Sequence, residues 1–334
     1  MPAQAGWCRL PEATAECGNA LIGIERQEGD AKAEPAQGRG IKPFGKGGFS
    51  ACRPLLAGEN LLLMLKHGRF DYILEYASIS HAVESRLGIG ELLASVGDVD
   101  SPLFTRSSLK PFQAMPLIAQ AAELYELTDA DMALLCASHS GESMHVERAA
   151  ALLAKIGASE SSLDCGSHVP FFFGVNGVAP EPGARFNRLH HNCSGKHTGM
   201  LLLAHALGAP QRGYLDIHHA VQREIARSVS HFSSVPVAQL VRGTDGCSAP
   251  NYALPLRSLA HAFARLTLEE PDPVFGKAPL RIARAMSRHP ELVSGQGRND
   301  LTLMRAGRGD WVSKVGADGV QAIASFSRGI GIAA

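Results

Sequence analysis

The sequence predicts an α+β fold. Apolar residues recur at helical spacing through the middle of the chain, and short strand-like runs bounded by turn residues sit toward its two ends. One sheet closed by both ends around a helical lobe accounts for both patterns. The 334 residues are ample for a buried core, in one large domain or two modest ones.

Taken in order, residues 1–65 are rich in Gly, Pro, Ala and charge and lack sustained periodicity, which predicts a poorly ordered, atypical N-terminal segment. Within it, Gly38-Arg39-Gly40 and Gly45-Lys46-Gly47-Gly48 read as loop. Residues 66–334 read as a single domain. A strand is expected over 91–96, ended by Gly97-Asp98. The spacing predicts a helix over 111–127, with Pro116 kinking or restarting it. Thr128 and Asp131 form a capping-box pattern ahead of a short helix through Cys136. A small, polar break over 137–142 precedes a helix over 144–156, stopped by Gly157. Further helices are expected over 194–207, 215–229 and 255–266. Strands are expected over 311–315 and 320–324, joined by the Ala317-Asp318-Gly319 turn.

Composition excludes several function classes. Formal net charge is zero, without the basic excess of a general nucleic-acid or membrane-surface binder. No apolar run reaches bilayer length, and Met1 to Trp7 lack the pattern of a secretory signal. Seven scattered cysteines, an odd number without paired spacing, read as reduced thiols in a cytoplasmic protein.

The chemistry starts at Ser107-Ser108-Leu109-Lys110. A serine hydroxyl needs a base within reach, and a lysine three residues on shares its helix face. That lysine acts as a base only when neutral, which burial and a neighbouring cation such as Lys314 both favour. Ser138-His139-Ser140 and Lys314-Val315-Gly316 follow downstream, in the order of the three-part serine-lysine site of penicillin-interacting enzymes. The bland alternatives are a capping serine at 107, a solvated Lys110, and a helix-connecting loop at 138. Cys193 precedes a helix start, where the dipole favours a thiolate, and Lys196 and His197 follow on the same face. With Cys247 these residues could bind zinc, although no C-x-x-C pair is present and two buried cysteines would look the same. The glycine runs near residue 45 precede no GK[ST], so they do not read as a phosphate loop.

Together, Ser107 to Gln113, Cys136 to Glu142, Asn192 to His197, Asp245 to Pro250 and Lys314 to Gly316 resemble the L-asparaginase II family, the zinc-associated serine-lysine type. The resemblance covers about 92–333. It implies a serine β-lactamase/glutaminase-like fold, with an antiparallel sheet, flanking helices and a helical lobe, usually as a homodimer. It also implies that Ser107 and Lys110 form one serine-lysine pair, with Ser138 and Lys314 in the other half of the site. Ser138 is preferred over Ser140. Cys193, Lys196 and Cys247 match the family's zinc ligands, with waters completing the shell and Asp245 and His197 beside it. The zinc would help place the substrate without generating the nucleophile.

The function expected from the resemblance is hydrolysis of L-asparagine to L-aspartate and ammonia through an acyl-serine, without nucleic-acid or membrane partners. Asp245 and Lys196 are candidates for the substrate's charged ends. Which serine attacks is open. Two departures from the family pattern are visible. His81 to Arg86 resembles part of its first strands, but the following strand is missing before Gly90, and the chain stops at Ala334 where the family continues. A shortened sheet with unpaired edges is therefore expected. The alternatives are a glutaminase or β-lactam-type acyl hydrolase, or an inactive zinc-binding homologue.

Overall fold

The burial of one helix, α1 (Lys110–Ala121), organises the molecule. Lys110 through Ile118, together with Ala121, are buried on every face of it, as expected for a helix enclosed by others. The computed structural model describes residues 74–78 and 90–334, all of which belong to one compact unit. The expectations for residues 1–65 and for His81 to Arg86 lie outside the described residues.

The described chain begins with β1 (Leu74–Ser78), β2 (Gly90–Ala94) and β3 (Pro102–Phe104), then passes through a 3-10 turn (Arg106–Leu109) into α1. Next come α2 (Asp129–Leu135), α3 (Ser143–Ala154), α4 (Phe171–Asn176), α5 (Ser194–Ala206) and α6 (Ala220–Ser233). A hairpin of β4 (Val241–Thr244) and β5 (Pro250–Pro255) leads into α7 (Leu256–Leu266), α8 (Ala278–Arg288), α9 (Pro290–Val293) and α10 (Asn299–Ala306). The chain closes with β6 (Trp311–Val315), β7 (Gln321–Ser325) and β8 (Ile330–Ala333).

The fold is α+β, as the sequence predicts. A five-stranded antiparallel sheet has the order β2-β1-β8-β7-β6, and a small sheet has the order β3-β5-β4. The early strands do pair with the late ones. A strand pair, β1 with β2, precedes the Ser107 turn where the sequence showed one strand, and β8 lies inside the sheet between β1 and β7. Helix α7 packs across β1, β7 and β8. Gly331 permits this approach, since a Cβ there would lie 2.0 Å from the Ala260 carbonyl oxygen.

Local chemistry explains where expectation and structure agree or differ. The Thr128–Asp131 capping box forms, with Asp131 N–H donating to Thr128 Oγ1 and Thr128 N–H donating to Asp131 Oδ2. Helix α1 runs through Pro116 without a restart. A proline there cannot supply the N–H that Phe112 C=O would accept, and the Ser228 hydroxyl from α6 donates to that carbonyl instead, at 2.8 Å. Helix α6 starts at 220, later than the periodicity suggests, because Asp216 takes the His218 N–H in a turn and His219 Nδ1 accepts the Val221 N–H as a cap. The turn before β7 places Asp318 and Gly319 at φ 58° and 85°, as a tight antiparallel connection requires. Phe112 of α1 packs between Phe232 of α6, tilted, and Phe263 of α7, edge-to-face, with ring centroids 5.4 and 5.6 Å away. Among the described residues, no helix is long and apolar enough to cross a membrane.

Candidate active site

The site grows from the junction of the two sheets with the N-terminus of α1. Thr105 is buried and anchored to β5, its hydroxyl donating to Tyr252 C=O at 2.8 Å. Arg106 follows in the left-handed region at φ 52°, an uncommon conformation outside glycine. Buried Asn251 holds it there. Its Oδ1 accepts the Arg106 N–H and its Nδ2 donates to the Arg106 carbonyl, each at 3.1 Å. The sharp bend sets Ser107 at the start of the 3-10 turn, half-buried, with its hydroxyl engaged by no side chain among the described residues. Gly316, the last residue of the Lys314-Val315-Gly316 motif, lets the end of β6 approach this bend. A Cβ there would meet the Thr105 carbonyl oxygen at 2.8 Å.

One turn on, Lys110 is completely buried. Its Nζ lies 2.8 Å from Ser138 Oγ and 2.6 Å from the Ala137 carbonyl oxygen. Burial pulls the Lys110 pKa down, against the opposing influence of the Cys193 sulfur, and a nearby Lys196 lowers it further. The amine donates to both Ala137 C=O and Ser138 Oγ. The Ser138 loop is fixed on three sides. Ser138 N–H donates to Val293 C=O, His139 N–H donates to Asn192 C=O, and the Ser140 hydroxyl donates to Ser294 C=O. Ser140 is thus a structural hydroxyl, whereas Ser138 faces the site.

The structure pairs the motifs across the expected halves. Lys110 meets Ser138. Lys314 Nζ, fully buried on β6, is held instead by Asp300 Oδ2 and its neighbour's Val315 C=O, both at 3.0 Å. Burial lowers the Lys314 pKa to about 8 in spite of Asp300. Ser107 and Ser138 line one cavity of about 410 Å³ together with Arg106, His168, His191, Cys193, Asp245, Cys247 and Arg298.

The sulfur cluster forms the cavity's far wall. Cys193 sits at the N-cap of α5, where Cys247, Lys110 and Lys196 hold its thiol well below the usual range although burial opposes this. Lys196 Nζ lies 3.0 Å from Cys247 Sγ and 3.4 Å from Asp245 Oδ2. Burial alone would lower its pKa, but both sulfurs and Asp245 outweigh that and raise it. His197 Nδ1 hydrogen-bonds to the Tyr214 hydroxyl at 2.6 Å. Burial holds this imidazole neutral, with a pKa of about 4, and its buried Nε2 has no partner among the described residues.

The donor chemistry of this wall fits zinc. Two sulfurs converge, the Cys193 thiol is held below its usual range, and an imidazole nitrogen with no hydrogen-bond partner among the described residues lies beside Cys247, donor types that zinc takes. Lys196 would have to release its proton to join them. Among the described residues, no three His, Cys, Asp or Glu side chains are arranged around a common metal position.

Three residues of the site carry no motif signal strong enough to single them out. Asn251 follows the Asp245 to Pro250 segment immediately, and Arg106 precedes Ser107, so adjacency could have suggested both. Arg298, in the glycine-rich stretch before α10, had only its charge. Asp245 is already committed, since it also accepts from Arg106 Nε at 2.9 Å and Asn251 Nδ2 at 3.3 Å. Asp245 and Lys196 are thus paired with each other, with Asp245 on the cavity lining.

No match was found among curated proteins. The sequence model of the L-asparaginase II family, by contrast, matches residues 79–334, a span that contains every motif gathered around this cavity. On that match, the chain belongs to the L-asparaginase II family.

Proposed function

We propose that the protein is an L-asparaginase, hydrolysing L-asparagine to L-aspartate and ammonia through an acyl-serine. The observation that carries this reading is the contact of the buried Lys110 amine with Ser138 Oγ, 2.8 Å apart on the wall of a cavity that Ser107 also lines. Family membership supplies the amide chemistry. A serine β-lactamase-like architecture is part of the same proposal, supported by the antiparallel sheet with α7 against it and the serine-lysine turn at the head of α1.

The half-exposed Ser107 hydroxyl attacks the side-chain carboxamide carbon. Its proton passes to Ser138, whose own proton passes to the Lys110 amine. The tetrahedral intermediate collapses as the amide nitrogen takes the Lys110 proton by the same relay and leaves as ammonia. Water then attacks the ester, giving up a proton to Lys110, and that proton returns through Ser138 to Ser107 Oγ as the acyl bond breaks and aspartate departs. Lys314 takes no direct part: it neutralises Asp300 and fixes β6 beside the reacting serines. Cys193, Cys247 and Lys196 would hold zinc, with Asp245 and His197 next to them. When bound, the metal supplies positive charge that orients the substrate.

The direct Lys110–Ser138 contact favours a second reading, in which Ser138 attacks. A diazoketone analogue of asparagine distinguishes them: peptide mapping should find the adduct on Ser107, and an adduct on Ser138 reverses the two roles. Ammonia release from L-asparagine but not from a range of other amides tests the activity itself. The homodimer and the cytoplasmic location belong to the same proposal. Sedimentation velocity and fractionation of the native host test them.

A further inference from the structure

The cavity contains two guanidinium groups, and they are not equivalent. Arg106 is neutralised twice, by Asp245 and by Asp318. Arg298 has no carboxylate at ion-pair distance among the described residues. Its one hydrogen bond to another part of the chain by a side-chain atom is a long one, from Nη2 to Ser138 C=O at 3.4 Å. The nearest acid that influences it, Asp300, is already engaged by Lys314, Ser313 and Gln321. The guanidinium lies over the Phe171 ring, 5.3 Å from its centroid, a contact that uses none of its N–H donors. Arg298 is part-buried, and burial lowers its pKa against the opposing influence of Asp300.

We propose that Arg298 is the anchor for a substrate carboxylate, which limits this cavity to small amides carrying a free carboxylate. The inference rests on the amidohydrolase reading of the same site. The geometry suits it: Nη2 contacts the backbone of Ser138, so the empty donor edge lies within a small molecule's length of both serines. In asparagine three C–C bonds, about 4 Å extended, separate the carboxamide carbon from the α-carboxylate carbon. A planar guanidinium can take that carboxylate with two parallel hydrogen bonds. The other guanidinium lining the cavity, Arg106, is occupied by Asp245 and Asp318, and Lys196 behind the wall is paired with Asp245. A neutral amide or a peptide-linked asparagine would leave Arg298 part-buried and unpaired, so the anchor both attracts and excludes.

Two measurements on the full chain test this. The first is binding of L-aspartate by calorimetry, in wild type, Arg298→Gln and Arg298→Lys. Wild type should bind aspartate, Arg298→Gln should weaken it about 100-fold, and Arg298→Lys should lie between, because a point charge keeps attraction but loses the paired geometry. The second is the ratio of kcat/KM for L-asparagine to that for 3-aminopropanamide, which is asparagine without its carboxylate. That ratio should fall about 100-fold in Arg298→Gln, mainly through the KM for asparagine. Absence of aspartate binding by wild type, or an unchanged affinity and ratio in the variants, overturns the proposal. Were Arg298→Gln unfolded by its melting curve, the Arg298→Lys values would decide alone, a tenfold loss supporting the anchor and no loss overturning it. If wild type turns over neither amide, the proposed function fails, while the aspartate titration still judges Arg298.

Discussion

Lys110 Nζ and Ser138 Oγ lie 2.8 Å apart, in a position closed to water. In the proposed mechanism Lys110 is the base of the site, and its burial rules out a surface cation. Lys110→Met should lower kcat for asparagine at least 1,000-fold, and Lys110→Arg should not restore it, because a guanidinium stays protonated. Ser107→Ala and Ser138→Ala should each lose a similar amount, and the double variant little more, since the two hydroxyls act in one relay. Ammonia release at saturating asparagine measures all five. Normal turnover by both serine variants would dispose of the mechanism.

How much of this was legible beforehand differs by link. Ser107, Lys110, Ser138, Cys193, Lys196, Cys247 and Asp245 are grouped by the family resemblance that the short motifs carry, whereas the residues alone leave capping, helix-connecting and buried-cysteine readings open. The Thr128–Asp131 cap was legible from its local signature alone. The Lys110–Ser138 partnership was not, since it depends on how α1 packs against the loop after α2. Of the kink or restart expected at Pro116, the restart is absent because of a tertiary contact as well. Only the fold brings the Ser228 hydroxyl to the orphaned Phe112 carbonyl. Arg298 was illegible because what distinguishes it is the absence of a partner, which no sequence pattern encodes.

The sulfur wall predicts its own metal behaviour. Purified protein should carry about one zinc per chain, measured by plasma emission, and Cys193→Ser with Cys247→Ser should carry none. A chelator should lower the melting temperature of wild type and leave that of the double variant unchanged, because only the folded site binds the ion. Metal-free protein whose melting temperature does not respond to added zinc would remove the metal from the site.

Ser228 tests the account of Pro116. In Ser228→Ala the Phe112 carbonyl would be left in the core without a donor, since Pro116 has none to give. The loss should be about 1–3 kcal/mol in denaturant unfolding. Pairing it with Pro116→Ala, which restores a helical N–H to the same carbonyl, should recover part of that loss. Additive effects of the two substitutions would show that the hydroxyl and the proline are unrelated.

An ion cluster away from the cavity gives a pH dependence with a defined sign. Asp272 is flanked by His231 at 2.8 Å and Arg265 at 2.9 Å, and it accepts the N–H groups of Val274 and Phe275. Burial pushes its carboxyl up, but the His231 hydrogen bond, the two N–H groups and the His231 charge outweigh this and bring the pKa down to about 2. A carboxyl whose folded pKa lies below its unfolded value near 3.8 stabilises the protein fully above that value. The contribution, about 2 kcal/mol from the size of the shift, is lost as pH falls from about 4 to about 2. Urea unfolding of wild type and Asp272→Asn should therefore differ most at neutral pH, and the gap should narrow below pH 4. A gap that is constant from pH 7 to pH 2.5 would mean that Asp272 contributes by shape and hydrogen bonding alone, and that its charge is balanced equally well in the unfolded chain.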